Sequence, residues 1–226
     1  MIMDNISHTE ENYLKAIYKI SENSAAKAST NAIAADMSTS AASVTDMIKR
    51  LNEKGLVIYE SRRGVSLTEE GARIATALIR KHRLWEVFLV EKLRFSWDEV
   101  HDIAEQLEHI KSDELIKRLD TYLAYPKFDP HGDPIPDAEG NFTFRKQAPL
   151  ADSNVGDKVI VVGVQDHAPA FLQYLDRLHL GLGAELEVLD LHEYDESMKV
   201  RLESTLEETL SRKVCEHLLV QKRQKT

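Results

Sequence analysis

Four of the six prolines fall between Pro126 and Pro136, within YPKFDPHGDPIPDAEGN. Proline lacks an amide hydrogen and fixes φ, so this stretch can be neither a helix nor a central strand and reads as a linker. It separates two textures. Before it the apolar residues recur at helical spacing; beyond Pro149 short β-prone runs alternate with glycine. No run approaches the roughly 18 apolar residues of a membrane span. MIMDNISHTEEN carries no basic region leading into an apolar one, so the expectation is a cytoplasmic protein with no membrane partner. Cys215 is the only cysteine, which excludes an internal disulfide and a Cys-rich zinc site.

The first seventy residues predict three helices and a hairpin. Ser7-His8-Thr9-Glu10 has the spacing of a capping box and precedes Tyr13, Leu14, Ile17 and Tyr18. After a polar connection, Thr30 caps a short helix, Asn31–Met37. Ser38-Thr39-Ser40 then leads into a longer helix, Ala41–Lys54, closed by Gly55. Leu56–Glu60 and Val65–Thr68 flank Ser61-Arg62-Arg63-Gly64, a hairpin signal. Helix, short helix, turn, helix and β-wing make a winged helix-turn-helix, whose partner is expected to be double-stranded DNA. The outward positions Ser40, Ala42, Ser43, Thr45, Asp46 and Lys49 suit base edges and phosphates. Arg50, Arg62 and Arg63 suit the backbone. A net charge of −9 argues superficially against DNA. However, residues 1–64 carry equal numbers of acidic and basic side chains, and the whole excess lies beyond them.

A long helix is expected through Ala72–Leu93, a second over Asp98–Ile110 and a third over Leu115–Leu123. Their apolar stripes exceed what one helical layer buries, which points to a homodimer. His82 and Glu86 share a face of the first. On the second, His101, Glu105, Glu108 and His109 fall within an arc of about 100° at 100° per residue. No Lys or Arg lies between Arg94 and Lys111 to neutralise them. Half-buried like charges repel unless a cation or protons compensate, and a divalent metal serves that purpose. His8, His131, His179, His192 and His217 are given surface or loop roles. The C-terminal part predicts strands at Val159–Val164, Glu185–Leu191 and Met198–Glu203. A helix is expected over Ala170–Leu178, with another beginning at Leu206, all within a small barrel-like β-domain.

These strings in this order (LNEKGLVIYESRRGVSLTEEG, RKHRLWEVFL, HDIAEQLEHIKSDEL, PHGDPIP, HLGLGAELEVLD and LSRKVCEHLLV) resemble the diphtheria-toxin-repressor family of metal-dependent transcriptional regulators over nearly the full length. The resemblance implies a mainly α protein with β. Residues 1–70 would form the winged helix-turn-helix and 71–125 a helical metal-binding and dimerisation domain. A Pro-rich linker would cover 126–149, and 150–226 an SH3-like, FeoA-like domain. It implies a primary, activating metal site from Asn12, Glu105, Glu108 and His109. An ancillary site would use His82, Glu86 and His101, with Asp166 and His167 as C-terminal candidates. Iron-responsive members have Met on the first helix and Cys at the position of Glu105; manganese-responsive ones commonly have Asp and Glu. With Asn12 and Glu105 the donors are oxygen and imidazole, which favours Mn²⁺ first and Fe²⁺ second, two ions per protomer. Glu11 or Glu10 is the alternative to Asn12. The function implied is a metal-dependent repressor governing metal homeostasis, not an enzyme. The alternatives are a winged-helix regulator gated by a small organic ligand and a metal-dependent hydrolase, although no nucleophile motif, phosphate loop or HExxH is present.

Overall fold

The computed structural model describes residues 6–22, 27–60, 63–202 and 206–223. They belong to two compact units. One comprises residues 1–82, 105–118 and 135–142, the other 83–104, 119–134 and 143–226.

In the first unit, helix α1 (His8–Glu22) begins at a capping box. Glu10 N donates to Ser7 Oγ at 3.3 Å, and Ser7 N donates to the Glu10 carboxylate at 2.9 Å. Tyr13, Leu14 and Ile17 point inward. The cap of α2 (Thr30–Asp36) is Ser29 rather than Thr30: its extended backbone lets its hydroxyl accept from Ala32 N at 3.1 Å. Ser40 caps α3 (Ala41–Glu53) by accepting from Ser43 N, and Val44, Ile48 and Leu51 form the buried stripe. Strands β1 (Val57–Glu60) and β2 (Gly64–Leu67) pair antiparallel with Val57 opposite Leu67, and Ala28 bridges to Val65. Gly64 is required there. Its φ is +101°, and a Cβ would lie 2.7 Å from the Ala28 carbonyl oxygen. The expected winged helix is thus formed around one apolar core that includes Leu14, Ile33, Ile48 and Val65.

Helix α4 (Glu69–Leu93) runs from the first unit, through His82, into the second. Helix α5 (Val100–Leu107) is shorter than its periodicity suggested, and Glu108 and His109 lie in the turn beyond it. Ile110 N bonds to the Leu107 carbonyl three residues back, which tightens the chain and ends the α-ladder. Helix α6 (Asp113–Tyr122) follows.

The second unit is built on a six-stranded antiparallel sheet ordered β3-β8-β4-β5-β6-β7. The strands are β3 (Ala148–Pro149), β4 (Lys158–Val164), β5 (Glu185–Leu191), β6 (Met198–Leu202), β7 (Leu206–Leu210) and β8 (Leu218–Lys222). Helices α7 (Pro169–Arg177) and α8 (Arg212–His217) lie between strands. The helix expected from Leu206 is instead β7, paired to β6 with Leu206 opposite Leu202 and Leu210 opposite Met198. Cross-strand pairing overrides the helical preference of its glutamates. Leu150, Val161, Leu172, Val200 and Leu218 form the core, and Trp97 packs into it.

The proline-rich run is neither helix nor strand apart from an isolated bridge between Phe128 and Pro134. Yet it buries both Asp129 and His131. The Arg145 guanidinium lies over the Phe128 ring at 3.9 Å and donates to the Gly132 carbonyl at 2.7 Å. Among the described residues no helix is long and apolar enough to cross a membrane.

Candidate metal centre and DNA-facing helix

In the first unit, α1 and the turn after α5 bring polar groups together, several of them buried. Glu108 is fully buried; Lys15 Nζ donates to its Oε1 at 2.5 Å, and His82 Nδ1 lies 2.6 Å from its Oε2. Lys15 also reaches Glu105 Oε1 at 3.4 Å. Burial pushes the Glu108 carboxyl up. The His82 hydrogen bond and the Lys15 charge outweigh it, and its pKa ends below the ordinary carboxylate value. The cation that α5 lacks in sequence therefore arrives in space from α1.

His109 Nδ1 lies 2.6 Å from Glu11 Oε2, and its Nε2 faces Glu108 Oε1 at 3.8 Å. A neutral imidazole donating Nδ1–H to Glu11 keeps its lone pair on Nε2, the form that binds a metal. The His8 ring stacks on His109 with centroids 4.3 Å apart. Asn12 Oδ1 is buried and makes no hydrogen bond. A buried carbonyl oxygen without a donor is costly, and a cation would relieve that cost. Asn12, Glu105, Glu108 and His109 thus fit a hard divalent ion by donor type.

The second unit holds another group. His101 Nδ1 is 3.5 Å from Glu86 Oε1, and His131 Nδ1 is 3.8 Å from Glu86 Oε2. Possible ligand atoms of Glu86, Asp129 and His131 lie within 4.8 Å of one another, and all three residues are buried. His131 Nε2 lies 2.8 Å from the Trp97 carbonyl oxygen. Donation there leaves the Nδ1 lone pair facing two carboxyl groups, an arrangement that calls for a proton or a cation. Burial, then repulsion from Glu86 and Asp133, pushes the Asp129 carboxyl well above its ordinary value, against the Arg83 charge. The His167 ring stacks on His131 with centroids 4.7 Å apart, while Asp166 Oδ1 accepts from Ala168 N in a local turn.

Sequence reasoning passed over Lys15, Asp129 and His131. The available signals were a lysine on the apolar side of α1 and a carboxylate two residues before a histidine in the proline-rich run. Neither is specific without the partners the fold supplies.

The outward face of α3 is open: Ser40, Ala42, Ser43, Asp46, Lys49 and Arg50 are exposed, and Thr45 is half-buried with its hydroxyl donating to the Ala41 carbonyl. Lys49 pairs loosely with Asp46, and Arg50 with Glu10, both at 3.5 Å. Arg63 is exposed on the wing, 3.6 Å from Glu60. Arg62 lies outside the described residues.

Comparison with known proteins shows what the whole chain is similar to. Three family descriptions match in succession: an iron dependent repressor N-terminal DNA binding domain over residues 5–65, an iron dependent repressor metal binding and dimerisation domain over 68–137, and a FeoA domain over 148–222. The diphtheria toxin repressor of Corynebacterium diphtheriae is 31% identical over 199 residues, covering 83% of this chain and 87% of that one. A manganese-dependent transcriptional repressor solved in complex with manganese is 36% identical with a TM-score of 0.82, covering 95% of this chain and all of its own. The manganese regulator SloR is 34% identical with a TM-score of 0.71, covering 95% and 98%.

Proposed function

The chain belongs to the diphtheria-toxin-repressor family of metal-dependent transcriptional repressors, and from that membership we propose that manganese is its activating ion, with iron second. The observation that carries this reading is the donor set. Asn12, Glu105, Glu108 and His109 offer three oxygens and one imidazole nitrogen, without sulfur. Glu11 orients His109 and, with ligand atoms of His8 and His109 within 4.8 Å of its own, stands as the alternative to Asn12. A second ion per protomer is assigned to Glu86 and His101, with Asp129 and His131 added by their burial beside Glu86. Asp166 and His167 remain candidates for the same ion.

A bound divalent ion supplies coordination bonds that join α1 to the turn after α5. The residues do the rest. α1 carries Asn12 on one side and, through Glu10, holds Lys54 at the end of α3. Fixing α1 therefore fixes the helix whose face, Ser40 to Arg50, reads DNA. The protein acts as a homodimer on an operator and governs metal homeostasis. Half-sites about 34–36 Å apart require two such helices at a set distance. Coupling between metal and DNA is reciprocal and commonly amounts to about 1–3 kcal/mol.

The test is a mobility shift on the protein's own promoter region with Mn²⁺ or with EDTA, alongside calorimetric titration with Mn²⁺ and, anaerobically, Fe²⁺. Glu105→Ala and His109→Ala should lose metal-stimulated binding and remain folded dimers. Equal DNA binding after exhaustive EDTA dialysis, with no heat of manganese uptake, overturns the proposal.

A further inference from the structure

We propose that Lys15 is the resident cation of the metal-free activating site, and that an incoming divalent ion must expel it. Its side chain is almost wholly buried, with the ammonium 2.5 Å from Glu108 and 3.4 Å from Glu105, two of the carboxylates of the first group. Glu108 Oε2 already faces His82, and an ion bonded to Oε1 at ordinary metal–oxygen distance, about 2.1 Å, would lie within about 4.6 Å of that ammonium. The ammonium and the ion would repel one another across that distance, and both draw on the same Oε1 atoms of Glu108 and Glu105.

The consequence is a threshold. Lys15 holds the acidic group together without metal and opposes its loading, so the concentration at which the repressor responds is set partly by a residue that is not a ligand. This inference rests on the reading of Asn12, Glu105, Glu108 and His109 as the activating site, and the experiment separates the two.

Manganese binding is measured by calorimetry on the full chain as wild type, Lys15→Met, Lys15→Gln and Lys15→Arg, with folding checked by circular dichroism. The neutral variants should bind Mn²⁺ roughly tenfold tighter or more. They should also melt at lower temperature than wild type in EDTA, while Lys15→Arg, which keeps the charge, gains no affinity. Wild-type protein provides a readout that needs no variant. Amine acylation followed by mass spectrometry should find Lys15 protected in EDTA and reactive in Mn²⁺. If wild type takes up manganese but the neutral variants bind it equally or more weakly, or if Lys15 stays protected in both conditions, the displacement is refuted while the site survives. If wild type takes up no manganese, the site itself falls and Lys15 with it.

Discussion

Removing the Glu10 carboxylate should weaken the first unit by an amount that the structure allows to be worked out. Glu10 is 1% exposed and serves two elements. It closes the α1 capping box with Ser7 N at 2.9 Å, and it accepts from Lys54 Nζ, just past α3, at 2.8 Å. Loss of the cap contact costs about 1 kcal/mol. The Lys54 bond is charge-assisted, but that side chain is 35% exposed and its ammonium can rehydrate, so about 1–1.5 kcal/mol is lost there. Arg50, 60% exposed and 3.5 Å away, adds nothing measurable. Glu10→Ala should therefore cost about 2–2.5 kcal/mol, and Glu10→Gln, which keeps an acceptor for Ser7, about 1 kcal/mol. Urea unfolding in EDTA should show lower midpoints with unchanged slopes. The pH dependence has a definite sign. Burial raises the Glu10 pKa, but the bonds from Lys54 and Ser7 together hold it below its ordinary 4.5. Its contribution is then present above that value and lost as pH falls through the folded pKa, so the gap between wild type and Glu10→Gln should close in acid. A loss in Glu10→Ala below about 0.5 kcal/mol would refute the reasoning.

Two further outcomes follow from the exposed face of α3 and the buried core of the second unit. Arg50→Ala should weaken metal-activated DNA binding about equally across operator sequences and reduce the slope of log K against log salt by about 1, read by fluorescence anisotropy over a salt series; an unchanged slope removes Arg50 from the phosphate contacts. Cys215 is buried in the β-sheet core, where desolvation pushes its thiol up to about 11. Folded protein at pH 8 should react with a thiol reagent far more slowly than urea-unfolded protein, and equal rates would contradict that burial.

How much of this could be read from residues alone depends on the range of the interaction. The capping box at Ser7 and Glu10, the α3 stripe of Val44, Ile48 and Leu51, and the glycine at the wing turn are local. Each is decided by neighbours within a few positions, so periodicity and capping chemistry revealed them. So was the shared face of His101 and Glu105. The misreadings have the same origin. The run LEETL has the composition of a helix start, and only its pairing with Met198–Leu202 makes it a strand. The site's electrostatics lay further out of reach. Lys15 and Glu108 are 93 positions apart, and no pattern within either segment says that one will neutralise the other. Asp129 and His131 sit in a run whose prolines forbid regular structure, so sequence implied solvent there, whereas packing buried both beside Glu86. Local sequence thus determined the elements and the kinds of donor they carry. Tertiary structure decided which donors are dehydrated together and which cation answers them, because desolvation and Coulomb energy depend on distance in space and not on separation along the chain.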